Sequence, residues 1–117
     1  MAISEADVRE IATGLPGTSE RPSYGGRPSW RTPSRMFAWI REAPEALVLW
    51  VESLEAKEAL LAEDPSAFFT TAHYDGQPII LVRLDAVEVD EASELLTQSW
   101  RLRAPRSLTR QLDHPRS

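Results

Sequence analysis

The sequence predicts a single α+β domain, an antiparallel sheet packed with helices, in the order α-β-β-β-β-α-β-β-α. Three observations lead there. Three segments repeat apolar residues at helical spacing behind a capping residue: 4–15, 53–63 and 90–103. Two pairs of apolar runs, 35–41 with 46–52 and 68–74 with 79–84, are each joined by a turn short enough to impose antiparallel pairing. A length of 117 residues suffices for one core and not for two, so the expected domain is 1–117.

The first helix starts behind Ser4, an N-cap, with Asp7 three residues on as in a capping box, and Ile3 and Val8 placed as a hydrophobic staple. Val8, Ile11, Ala12 and Leu15 form its apolar face. Gly14 is the expected left-handed C-cap, and Pro16 prevents continuation. Residues 16–34 hold seven Pro and Gly, so strands there are short: one near Arg21–Tyr24, one near Ser29–Arg31. In the first hairpin, Leu47, Leu49 and Val51 take one face and Val48 and Trp50 the other. A strand apolar on both faces belongs in the middle of a covered sheet. Ser53 caps the second helix, whose expected stripe is Leu54, Ala56, Ala59, Leu60 and Leu61, and Asp64-Pro65 ends it. Asp75-Gly76 turns the second hairpin. Asp90 caps the last long helix, with stripe Ala92, Leu95, Leu96, Ser99 and Trp100, acids in its first turn and Arg101 and Arg103 in its last. After Pro105 one more helical turn is expected before the tail frays from about residue 109.

Composition excludes several chemistries. There is no Cys, hence no disulfide, thiolate nucleophile or Cys-based zinc site. With two His, a His-built metal centre or a nucleophile–His–acid set has too few members, and no metal or cofactor is expected. Tyr24-Gly25-Gly26-Arg27 lacks the spacing of a phosphate-binding glycine loop. No apolar run spans a membrane, and the N-terminus lacks the blocks of a signal peptide; the expectation is a cytoplasmic protein that is not an enzyme.

The net charge of −5 is unevenly spread. Residues 18–41 carry five Arg against Glu20, whereas 42–64 carry Lys57 against seven acids. The basic side chains are twelve Arg and one Lys, a bias suited to planar anions and ring stacking, and also one that a G+C-rich genome produces. Three places invite a functional reading. The stretch 21–41, with Arg31, Arg35, Arg41 and the aromatics Tyr24, Trp30 and Trp39, suits phosphate contact and base stacking, with Arg101 and Arg103 as candidate additions. The plainer alternative makes both Trp core. His73-Tyr74 at a hairpin tip reads as a proton donor or ligand contact, or as a strand-end His bonded to backbone. Glu52, Glu55, Glu58, Glu63 and Asp64 read as an acidic ridge for a partner, or as a solvated helix face.

Leu15-Pro16-Gly17-Thr18, Tyr24-Gly25, Pro28, Arg35-Met36-Phe37-Ala38, Pro65 with Phe69, His73-Tyr74, and Glu94-Leu95-Leu96 with Ser99-Trp100-Arg101-Leu102 together resemble the MmcQ/YjbR family of small bacterial proteins, over about residues 4–108. The resemblance implies an α+β fold similar to a "double wing" DNA-binding domain and to frataxin-like domains, and a DNA-binding label. Two departures stand out: Thr32-Pro33-Ser34-Arg35 is stiffer than the family's turn and carries Arg where Lys is common, and the C-terminal cations are Arg. The functional expectation is a non-enzymatic, nucleic-acid-associated accessory domain binding DNA weakly and salt-sensitively. The alternative is a protein-interaction or regulatory module using the acidic helix region, without nucleic acid.

Overall fold

The computed structural model describes residues 2–23, 26–42 and 44–113. The elements are α1 (Glu5–Thr13), β1 (Ser19–Pro22), β2 (Pro28–Arg31), β3 (Met36–Arg41), β4 (Ala46–Trp50), α2 (Leu54–Glu63), β5 (Phe68–Phe69), β6 (Ile79–Val82), α3 (Val89–Arg103) and α4 (Arg106–Asp113). One six-stranded sheet runs β1-β2-β3-β4-β6-β5, antiparallel throughout. The first four strands form a meander. Then α2 carries the chain to the far edge, where β5 forms, and β6 returns between β5 and β4. This is the predicted α+β architecture and order, with α4 added.

Cross-strand register sorts the side chains onto two faces, because partners in adjacent strands point the same way. Glu20, Trp30, Ala38, Leu49 and Ile80 make one row. Helices α1 and α3 cover that face, and the main core lies between, around Trp30, Phe37, Leu96 and Trp100. Ser4 caps α1 in a complete capping box with Asp7. The Trp100 indole donates to the Pro16 carbonyl at 3.0 Å, tying α3 to the turn after α1. Ser99 Oγ donates to the Phe37 carbonyl (2.6 Å) and accepts from the Trp50 amide (3.0 Å). One buried hydroxyl thereby satisfies both backbone groups where β3 and β4 part.

The second row is Arg21, Ser29, Trp39, Val48, Leu81 and Phe69, running from one edge of the sheet to the other. Its core is a second cluster, Ala46, Val48, Ile79 and Leu81, closed by Trp39, Trp50, Phe69 and Tyr74. No residue of the four helices belongs to it. The sheet is therefore covered by helices on one face and by its own aromatics on the other.

Several local expectations are corrected. Gly14 is right-handed (φ −77°), and the left-handed residue is Gly17 at φ 69°. Pro16 and Gly17 fill the centre of a turn closed by the Thr18 amide on the Leu15 carbonyl (3.3 Å), the pairing a type II turn favours. The predicted strand at 68–74 shrinks to two residues and gives way to a 3₁₀ turn at Ala72–Tyr74. Asp75 (φ −60°, ψ 134°) and Gly76 (φ 77°) form a type II turn, which splays strands instead of matching their twist. On α2, Leu54 is exposed and the one buried side chain is Lys57, while Leu60 and Leu61 reach the main core. Glu88, without a side-chain cap, precedes α3, and Asp90 lies inside its first turn. The tail expected to fray from residue 109 is helical to Asp113, because Leu108 and Leu112 pack on the core.

Candidate functional site

The face without helices gathers four partly exposed aromatics and several arginines. Trp39, Trp50, Phe69 and Tyr74 are all half-buried there. The Arg103 guanidinium sits 4.1 Å above the Trp50 ring, and Arg83 sits 4.2 Å above Phe69. Trp39 and Tyr74 meet with centroids 6.3 Å apart and planes tilted by 54°, and His73 stands edge-on to Tyr74 at 4.7 Å.

Two adjoining depressions open on this face. The first, about 590 Å³, is lined by Ser23, Met36, Trp39, Ile40, Arg41, Glu42, His73 and Tyr74. The second, about 540 Å³, is lined by Arg21, Pro22, Ser23, Ser29, Arg31 and Met36, with no carboxylate. Ser23 and Met36 form their common wall. Lys57 holds the His73–Tyr74 side of the first in place: its ammonium, buried beneath α2, donates to the Tyr74 carbonyl at 2.7 Å and the Gln77 carbonyl at 2.9 Å. Burial pushes the Lys57 ammonium below the ordinary lysine range, and Asp75 opposes that.

The tertiary structure sorts the arginines that the sequence leaves equivalent. Arg27 is surrounded by Glu5, Glu42 and Glu45 at 2.9–3.0 Å, and those carboxylates hold its guanidinium firmly protonated. Arg9 pairs with Glu20, and Arg101 with Asp113 at 2.6 Å. Arg21, Arg31 and Arg35 have no carboxylate partner among the described residues. Arg103 turns back from the end of α3, and its Nε donates to the Met36 carbonyl at 3.2 Å. Burial first, and then the nearby Arg35, push its pKa down. Acidic residues gather elsewhere. The Glu91 carboxyl is held above the usual carboxylate range by burial and then by Asp64, Glu63, Glu88 and Glu94. Twelve residues of helix, about 18 Å, separate Glu91 from Arg103.

Of the residues singled out from sequence, Arg31, Arg35, Arg41 and Arg103 lie on or beside this face, and His73 and Tyr74 border its larger depression. Arg101 points instead to α4. Trp30 is not an exposed ring: it is fully buried on the helix-covered face, and its Nε1 donates to Glu20 at 2.9 Å. Among the apolar residues 37–40 it is Trp39 that faces out, while Phe37, Ala38 and Ile40 join the main core. Tyr24 lies outside the described residues. Among these residues no group of three or more His, Asp or Glu is arranged to hold a metal ion, and no helix is long and apolar enough to cross a membrane. Sequence reasoning placed Arg21, Ser29 and Met36 inside the candidate stretch 21–41 without singling them out, and missed Trp50. Strand pairing is the signal for Arg21 and Ser29, which share a row with Trp39, whereas Met36 reaches Arg31 only through the register shift at Trp30/Arg31.

A family model described as YjbR matches residues 13–102. The chain belongs to the YjbR family. The matched span includes both faces of the sheet and all of the open face except Arg103, which follows it directly. A similar protein of Mycobacterium tuberculosis (strain ATCC 25618 / H37Rv), named uncharacterized protein Rv2570, is 34% identical over 87% of this chain and 89% of its own length. Uncharacterized protein Mb2600 of Mycobacterium bovis shares the same 34% identity and coverage. The crystal structure of Deinococcus radiodurans protein DR2400, a DUF419 domain, has a TM-score of 0.76 at 24% identity, covering 97% of this chain and 91% of that one. At that identity the likeness is one of fold: the six-stranded sheet and its helices are shared architecture for this YjbR-family chain.

Proposed function

We propose that this YjbR-family protein is a non-enzymatic, cytoplasmic accessory domain that binds nucleic acid through the open face of its sheet. The observation that carries the reading is the depression lined by Arg21 and Arg31 and by no carboxylate, in a chain whose net charge is −5. Arg35 and Arg103 extend the positive field along the same end of β3. Guanidinium groups grip phosphate oxygens bidentately, and such contacts position a strand without reading its sequence. The double-wing fold that the family resemblance implies adds an analogy in the same direction. Titration of a labelled duplex by fluorescence anisotropy tests it. With Arg21, Arg31 and Arg35 each engaging a phosphate, affinity falls roughly 40-fold between about 50 and 200 mM salt. Arg31→Ala lowers the salt slope by about one and weakens binding alike for all sequences. Absence of binding at low salt, or a flat salt dependence, refutes the reading.

A second reading draws on the acidic convergence of Glu63, Asp64, Glu88 and Glu94 on Glu91. It makes the α2–α3 end a docking surface for a basic protein partner. A partner lost when Glu55, Glu58 and Glu91 are neutralised supports it, and capture unchanged by those substitutions removes it.

A further inference from the structure

We infer that the depression beside Trp39 and Tyr74 takes an unpaired nucleobase, so that the open face selects single-stranded over double-stranded nucleic acid. This rests on the nucleic-acid reading above and narrows it. The two depressions differ in a way that matches the two parts of a nucleotide. The one holding Arg21 and Arg31 has no carboxylate and suits phosphate. The one holding Trp39 and Tyr74 includes Glu42, whose carboxylate takes one hydrogen bond from Arg27 and keeps further lone pairs, so it disfavours phosphate and can accept from a base amino group; Arg41 lines the same depression. Arg21 and Trp39 share one cross-strand row, two strands apart. That is roughly 10 Å between their backbones.

The geometry also says how the base sits. Trp39 and Tyr74 are 6.3 Å apart and tilted, less than two stacking spacings of about 3.4 Å, so no base slides between them. A base lies against the side of the pair that faces the depression. The volume of about 590 Å³ leaves room for it. Bases in a duplex are stacked on their neighbours and present only edges in the grooves, so they cannot reach an aromatic platform on a flat sheet. Strands with splayed bases can.

The test compares a labelled single strand of about twelve nucleotides with its own duplex, using the full chain at one low salt concentration. The single strand is expected to bind at least fivefold more tightly, since one stacked base contributes roughly 5- to 150-fold. Trp39→Leu removes the preference, so that strand and duplex bind alike. Trp39→Phe keeps a ring and retains most of the preference, but loses most of the tryptophan quenching that the strand causes in the native protein. Equal affinity for strand and duplex, or quenching unaltered by Trp39→Phe, overturns the inference. In the equal-affinity case a steep salt slope leaves the phosphate reading standing. Failure of both ligands to bind removes both.

Discussion

Replacing Lys57 by Met isolates what one buried ammonium contributes to the open face. The four-carbon stem of Lys57 is buried, with only 4% of the residue accessible, and an unbranched Met fills most of its volume. What disappears is the charge and two hydrogen bonds, to the carbonyls of Tyr74 at 2.7 Å and Gln77 at 2.9 Å. Hydrogen bonds to a charged group contribute about 1.5–3 kcal/mol each. Against that, the variant no longer buries an ammonium whose desolvation is large enough to depress its pKa. Gln77 is exposed and Tyr74 half-buried, so water replaces part of what the carbonyls lose. The balance is a destabilisation of about 1–3 kcal/mol, or roughly 4–12 °C in melting temperature for a chain of this size. The loss is local as well as global, because the segment 72–77 has no other anchor to α2 among the described hydrogen bonds. Urea unfolding measures the first part. Amide exchange at the Tyr74 and Gln77 backbone N–H groups, which the native turns protect through the carbonyls of Thr71 and Tyr74, measures the second. A Met variant of native stability with unchanged exchange at 72–77 refutes the assignment of Lys57 as the strut beneath Tyr74.

Two further outcomes follow from the same geometry. Glu20→Leu leaves the buried Trp30 indole N–H without an acceptor and destabilises the fold by about 1–3 kcal/mol in urea titration. Hydrogen bonding by Arg9, and then by Trp30, holds the Glu20 carboxyl below the ordinary 4.5, so its contribution is complete above that pH and is lost as pH falls through the lower folded value. The variant's acid limb of stability is therefore flatter than the native one, and an unchanged limb contradicts the pairing. Gly17→Ala meets two obstacles: φ of 69°, and a new Cβ placed 2.5 Å from Leu108 Cδ1 of α4. Gly76→Ala meets only the first, at φ 77° with open space around it. The expected cost is about 1 kcal/mol for Gly76→Ala and about 1–3 kcal/mol for Gly17→Ala, with faster amide exchange in α4 for the second alone.

The helix starts were legible because their causes are local. Ser4 and Ser53 each accept from an amide three residues ahead, a contact that needs nothing beyond its own segment. The continuous apolar run 46–50 likewise placed β4 inside the sheet, since a strand apolar on both faces has to be covered on both. The hairpin at 68–84 was legible only in its turn. Asp75-Gly76 was found, but β5 ends at Phe69 and a 3₁₀ turn follows at Ala72–Tyr74, where Lys57 of α2 bonds the Tyr74 and Gln77 carbonyls, contacts between segments far apart in sequence. Trp30 and Trp39 looked alike from composition. Which is core follows from the register of β2 on β3, where Trp30 opposes Ala38 under the helices and Trp39 opposes Ser29 on the other side.

Charge divides in the same way. The sequence by itself determined that cations cluster at 18–41 and acids at 42–64, and that the basic side chains are nearly all Arg. It could not say that Arg27 is consumed by Glu5, Glu42 and Glu45 while Arg21 and Arg31, beside an open depression, have no carboxylate partner among the described residues. Coulomb interaction decays over a few ångströms of real space and takes no account of separation along the chain. Glu5 lies 22 residues from Arg27 and touches it. Only the tertiary structure decides such contacts, and with them which part of a chain of net charge −5 offers a positive face.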